Sequence, residues 1–263
     1  MWMHGKSAQT IRAYSKDVRE FFRFTGCSLA QVRLEDVQAF SDSLDLAPSS
    51  KARRLAAVKS LLSFANKIGY IPFNAGAPVE LPKPENKLSE RILSESAVQS
   101  IIHAATSERD RALLRLLYGA GIRVSEAASL RWRHLQVHKD AGVVTVHGKG
   151  SKTRSIFLGA ETWKALVSLG KNAPDDAPVF TSQMDGALSA SQMYRIVRRT
   201  AELAGVKGNV SPHWMRHAHA SHALDRGAPT HLVKETLGHS SLATTSRYTH
   251  ARPGDSSARY LAS

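Results

Sequence analysis

A single cysteine, Cys27, stands in a chain of 263 residues, so no internal disulfide can form and a reducing compartment suits the protein. No long apolar run offers a membrane span, and the opening MWMHGKSAQT lacks the apolar core of a secretory signal; a cytoplasmic protein is expected, with no membrane partner. Acidic residues are outnumbered, 22 Asp and Glu against 36 Lys and Arg, which leaves a formal charge of +14. Such an excess favours a polyanionic partner through counterion release and electrostatic steering, nucleic acid first among them. The alternative is a merely basic, soluble surface. The charge is spread along the chain rather than gathered on one helix, which disfavours a basic amphipathic membrane binder. Internal repeats and low-complexity segments are missing. So is a phosphate-binding P-loop: Gly148-Lys149-Gly150-Ser151 does not meet the G-x-x-x-x-G-K-[ST] spacing, and no helix is expected after it. Histidines crowd together at His213, His217, His219 and His222, but no H-E-x-x-H and no cysteine pair accompanies them, so a metal site is not expected.

The length allows one large or two ordinary domains, and two are expected. Residues 7–24 place Ile11, Tyr14, Val18, Phe21 and Phe22 at helical spacing behind a Ser7 cap, and Gly26 ends the run. A second short helix is predicted over 34–44. A third, capped by Ser49 or Ser50, turns Leu55, Val58, Leu61, Leu62 and Ala65 to one face. Lys51, Arg53, Arg54 and Lys59 lie near its start and read, taken alone, either as a solvated face or as phosphate contacts. Residues 81–90 (LPKPENKLSE) are proline-rich, charged and aperiodic, as a linker is. The expected division is therefore 1–80, a linker at 81–90, and 91–263, a plan that lets two domains wrap a duplex from both sides.

Beyond the linker, helices are predicted over 94–105 and 108–118. Gly119 and Gly121 break the second, which puts Arg123 at the mouth of a new helix running through Glu126. Backbone donors and the positive dipole end favour an anion there, and Arg123 adds a bidentate fork for phosphate; the pair is equally readable as an ordinary same-face ion pair. Residues 143–158 switch to β-branched residues around the Gly148–Ser151 turn, a β-hairpin with Lys149 at its tip. Helices follow over 160–169 and 189–204, the latter basic through Arg195, Arg198 and Arg199, a candidate backbone-contacting surface.

The stretch 211–250 holds the densest chemistry. His213, Arg216 and His217 fall three and four residues apart, on one face of a helix that Ser211 can cap and Pro212 can start. Pro229 can open the next helix and Gly238 close it; Ser241 then caps another, which leaves His239 in a tight turn with Tyr248 about two and a half helical turns on. A phenol, an arginine and several imidazoles together suit attack on, and stabilisation of, a phosphate diester.

At these residues the chain resembles the tyrosine recombinase (phage integrase) family, and within it the Xer-type site-specific recombinases. The His-x-x-Arg-His box is matched by His213, Arg216 and His217, Leu-Gly-His by Leu237, Gly238 and His239, and Arg-Tyr-Thr-His by Arg247, Tyr248, Thr249 and His250. Gly-Lys-Gly-x-Lys-x-Arg is matched by Gly148, Lys149, Gly150, Lys152 and Arg154, and further matches run from Thr10–Tyr14 through Arg53-Arg54-Leu55 to Gly69–Pro72. The resemblance implies a mainly α fold with a small β-hairpin or sheet (α+β), its amino-terminal helical domain clamping DNA and its carboxy-terminal domain catalytic. It implies Tyr248 as nucleophile, Arg123 and Arg216 as the phosphate-binding pair, and Glu126 as buttress. His213 would be the base, with His217 an orienting group, His239 a phosphate hydrogen bond, and Lys149 the general acid, Lys152 being the alternative. It moves Lys51, Arg53, Arg54 and Lys59 toward phosphate contact, and Lys152, Arg154, Arg195, Arg198 and Arg199 join them as candidate DNA-binding residues. The partners implied are duplex DNA with a specific recombination site and a homo- or hetero-tetrameric synapse of protomers, onto which a tail carrying Ala258, Tyr260 and Leu261 would dock. No cofactor is implied, because a phosphotyrosyl link conserves the bond energy. Tyr260 is the rival nucleophile, but it lies beyond the Pro253-Gly254 break. Two other classes compete: a type IB topoisomerase shares the nucleophile chemistry, and an inactive DNA-binding module would have lost boxes that are filled here.

Overall fold

The computed structural model describes residues 1–83, 89–148, 153–170, 173–182 and 186–238. The chain divides into two compact units, Met1–Asn86 and Lys87–Ser263.

In the first unit, α1 (Ala8–Thr25) starts where Ser7 Oγ accepts the Thr10 N–H at 3.2 Å and stops at Gly26, whose φ of 68° is the left-handed conformation that glycine adopts without strain. α2 spans Leu34–Ser43 and α3 spans Pro48–Lys67. The start of α3 differs from expectation: Ala47 is the cap, and Ser49 and Ser50 lie inside the first turn. Proline has no N–H to leave unsatisfied at the first helical position, and its fixed φ begins the helix one or two residues early. The apolar stripe packs as its spacing requires. Leu55, Val58 and Leu62 join Phe21, Val37 and Phe40 in the buried core, with the Phe21 and Phe40 rings edge-on at 5.2 Å. Each fully buried side chain of this size contributes roughly 1.5–3 kcal/mol.

The second unit is built from α4 (Glu95–His103), α5 (Glu108–Gly119), α6 (Val124–Ala128), β1 (Leu135–His138), β2 (Ala141–His147), β3 (Thr153–Leu158), α7 (Ala160–Val167), α8 (Ala190–Leu203), α9 (Pro212–Asp225) and α10 (Thr230–Leu237). Ser94, Ser107 and Ser189 cap α4, α5 and α8 with their hydroxyls. The hairpin expected from the sequence is part of a three-stranded antiparallel sheet in the order β1-β2-β3. Its pairs Val144↔Ile156 and Gly142↔Leu158 bury one face on the core, while Val143↔Phe157 and Thr145↔Ser155 form the other. Helix α9 packs against α4, α5, α8 and α10, so Met215, Ala218, Ala220 and Leu224 are all buried, and Arg216, Ser221 and His222 are buried with them. Among the described residues, no helix is long and apolar enough to cross a membrane.

Candidate active site

Arg123 is the residue just before α6, and Glu126 lies one turn inside it. The Glu126 carboxylate is turned back onto the helix start, accepting the Arg123 N–H at 2.8 Å and an Arg123 guanidinium N–H at 2.9 Å. It is buried, 4% exposed, and its remaining acceptor positions are filled by Arg154 of β3, which donates to both oxygens at 2.9 and 2.8 Å. Burial pushes the Glu126 pKa up, but the hydrogen bonds and charges of Arg154 and Arg123 outweigh it, and the net shift is below the ordinary carboxylate value. Glu126 is therefore an anion held between two guanidiniums.

Arg216, on the buried side of α9, is 5% exposed and donates to the Gly121 and Leu237 carbonyls. Three successive carbonyls at the end of α10 are taken by three arginines from three elements: Thr236 O by Arg154 at 2.7 Å, Leu237 O by Arg216, and Gly238 O by Arg123 at 3.0 Å. The last carbonyls of a helix lack partners of their own and carry its negative dipole end, so cations are favoured there. Gly238 closes α10 at φ 62°, and a Cβ on it would stand 3.0 Å from the Arg154 guanidinium. Gly121 is doubly constrained: its φ is 58°, and a Cβ would sit 2.6 Å from the His219 ring and 2.9 Å from Leu237. That close approach seats the turn leading into Arg123 on α9 and α10.

His213 and His217 lie one turn apart on α9, with ring centroids 6.4 Å from each other. Desolvation, then the charges of Arg216 and Arg123, lowers the His213 pKa below the ordinary histidine value. His213 is nevertheless exposed at the surface. Its imidazole is held toward the neutral form, in which one ring nitrogen is an acceptor. Among the described residues, no group of three or more His, Cys, Asp or Glu is placed to hold a metal ion.

His219 has a different place from its neighbours. It is half-buried, its Nδ1–H donates to the Tyr118 carbonyl at 2.7 Å, and desolvation above all lowers its pKa to about 4. The folded chain thus refuses a proton that the unfolded chain accepts at 6.5. Stability should be undiminished above pH 6.5 and fall as the pH drops toward 4, by about 3 kcal/mol at about 1.36 kcal/mol per pH unit. Urea unfolding at pH 7 and pH 4.5 measures the difference, and His219→Gln should flatten it; an equal slope in the variant would place the acid sensitivity elsewhere.

Of the other residues singled out in the sequence, Arg195, Arg198 and Arg199 lie on the exposed face of α8, opposite the buried Met193, Val197 and Ala201. Arg198 pairs with Glu202 at 3.0 Å, and Arg195 and Arg199 line a groove of ≈ 400 Å³ that none of the site residues joins. Arg53 holds the buried Asp17 through both its terminal nitrogens and Arg54 pairs with Glu20, while Lys59 donates to the Ala77 and Val79 carbonyls. These three side chains serve the fold of the first unit; Arg53, with 48% of its side chain exposed, keeps a face to solvent. Lys51 is half-buried on α3. Arg154, grouped in the sequence with DNA-contacting residues, is turned inward to Glu126 and Thr236 instead. Lys149, Lys152, His239 and Tyr248, with Ser241 and the tail residues Ala258, Tyr260 and Leu261, lie outside the described residues.

Residues 91–254 match the phage integrase family, and residues 2–69 match the phage integrase N-terminal SAM-like domain. The chain belongs to the phage integrase family. Within it the chain is Xer-like: it is 33% identical over 263 residues to the tyrosine recombinase XerC of Thermodesulfovibrio yellowstonii, covering 94% of this chain and 87% of that one. It is 34% identical to XerC of Xanthomonas campestris pv. campestris, over 93% and 79% of the two chains. The fold is also that of lambda integrase bound to a COC′ core site, with a TM-score of 0.79 at 17% identity over 96% of this chain and 92% of that one.

Proposed function

We propose that the protein is a site-specific tyrosine recombinase of the Xer type, cutting and rejoining duplex DNA through a 3′-phosphotyrosyl intermediate. The observation that carries this reading is the meeting of Arg123 and Arg216 at the end of α10, next to His239 in the chain, with His213 within reach of both charges. In this reading Tyr248 Oη attacks the scissile phosphorus, its proton passing to His213, and the bond to the 5′-oxygen breaks as Lys149 protonates it. Arg123 and Arg216 hold the non-bridging oxygens against the charge that builds in the transition state, an effect worth about 3–4 kcal/mol for one well-placed donor. His239 hydrogen-bonds the same phosphate and His217 orients it. The link conserves the phosphodiester bond energy, so rejoining by the 5′-hydroxyl requires no nucleotide. The two units, joined near 81–90, would grip the duplex, with Lys51, Arg53 and the exposed arginines of α8 on its backbone. Further protomers, of this chain or a second recombinase, would complete a four-protomer synapse in the cytoplasm, at the nucleoid.

The test is a pair of plasmids, one carrying the sequence recovered from DNA bound to the protein in cells and one without it. Recombination confined to the first is expected. Relaxation of both alike would mark a topoisomerase-like nicking-closing enzyme, and binding without strand breakage would mark a DNA-binding module.

A further inference from the structure

Arg154 is the residue whose surroundings the reaction above does not explain. It is the second residue of β3, two positions after Lys152, and its pairing with Val146 puts it on the same face of the sheet as Ile156 and Leu158. Its side chain is only 14% exposed. All three guanidinium nitrogens are engaged: two on the separate oxygens of Glu126, and Nε on Thr236 O at 2.7 Å. Nothing in that arrangement reaches toward a duplex. It reaches toward two things that the cleavage chemistry depends on, the carboxylate that grips Arg123 and the last turn before His239.

We infer that Arg154 is a positioning residue of the cleavage reaction, acting through Glu126 on Arg123 and through Thr236 on the end of α10. The inference rests on the recombinase reading. A buried carboxylate with one guanidinium beside it forms a closed ion pair, and Arg123 would be drawn fully onto Glu126 with its charge neutralised. A second guanidinium changes the sum. Two arginines around one carboxylate leave a net positive charge, so Arg123 holds Glu126 with its backbone N–H and one nitrogen, and another nitrogen reaches Gly238 O. The planar fork of Arg154 is what lets one side chain bind both carboxylate oxygens and a carbonyl at once, which a lysine ammonium cannot do. Its place in β3 also ties the strand that follows residues 149–152 in the chain to Glu126 and Arg123.

The experiment uses the full chain and a nicked suicide duplex carrying the sequence recovered from DNA bound in cells. Covalent complex formation is followed in a single turnover at saturating protein, and the Kd is measured separately against salt. Arg154→Met should lower the cleavage rate by about 100-fold, the size of effect that a small misplacement of catalytic groups produces, with the Kd and its salt slope unchanged. Arg154→Lys should fall between. Adding Glu126→Gln to Arg154→Met should restore at least part of the rate, because the charge that captures Arg123 is gone; a merely structural arginine would show additive losses instead. A weakened Kd with a salt slope lower by about 0.9 and normal cleavage at saturation would make Arg154 a phosphate contact and overturn the inference. So would additive losses, or a normal rate in Arg154→Lys, which carries the test alone should the methionine variant not fold. If the parent itself forms no covalent complex, the recombinase reading fails, and hydrogen exchange on the free chain decides the positioning. Loss of protection at the Arg123 and Gly238 amides of Arg154→Lys, with the α5 core unchanged, supports it, and unchanged protection there overturns it.

Discussion

Tyr248→Phe is expected to bind its DNA site as the parent does and to form no covalent complex, a loss of at least about 10⁴-fold in cleavage. The substitution removes one oxygen. The groups that hold the phosphate in the proposed reaction are on other elements: Arg123 at the start of α6, Arg216 on α9, and Glu126 with Arg154 behind them. Binding free energy therefore stays while the nucleophile is lost, and the two measurements should separate cleanly. Tyr248 lies nine residues after His239, beyond a helix end where three arginines occupy the carbonyls of Thr236, Leu237 and Gly238. Tyr260 is its competitor. A Tyr248→Phe protein that still becomes covalently trapped on a nicked duplex, while Tyr260→Phe does not, would move the nucleophile into the tail.

The parts of this protein that were legible in the sequence are those written in local spacing. His213, Arg216 and His217 share a helix face by their separations of three and four, and the structure puts them there. The cap at Ser7 and the closing glycines at 26 and 238 are equally local. β1 was missed because its four residues carry no inward alternation; only Leu135 is partly covered, and the strand is held by pairing with β2 rather than by its own apolar face. The contact between Arg123 and Gly238 spans 115 residues, and no periodicity reports on such a separation. Arg154 is the instructive case. Its charge and its company in Lys149-x-x-Lys152-x-Arg154 pointed to DNA, yet the alternation Arg154, Ile156, Leu158 marks it as inward-facing by the same period of two that predicts the strand. A buried-face arginine requires a buried anion, and Glu126 was the carboxylate already assigned to the site.

Lys149→Ala is expected to slow cleavage by about 10²–10⁴-fold, the usual contribution of a positioned general acid, with binding little changed. The alkoxide left when the phosphorus–oxygen bond breaks is a poor leaving group, and the described groups proposed to face the phosphate are ill suited to protonate it. Arg123 and Arg216 are permanently charged and hold their protons, and His213 is kept neutral by desolvation and by those same two guanidiniums. In the proposed reaction the Lys149 ammonium fills that need, and Arg154 anchors the strand that follows residues 149–152 in the chain. Replacing the bridging 5′-oxygen of the substrate with sulfur gives a leaving group of much lower pKa, which departs without a proton. Lys149→Ala should then cleave the sulfur duplex at close to the parent's rate. Arg123→Ala and Arg216→Ala should not recover, because what they lose is stabilisation of the non-bridging oxygens, which the sulfur leaves untouched. Lys152→Ala is the internal control: if it shows both the defect and the rescue while Lys149→Ala shows neither, the acid is Lys152, two residues from Arg154.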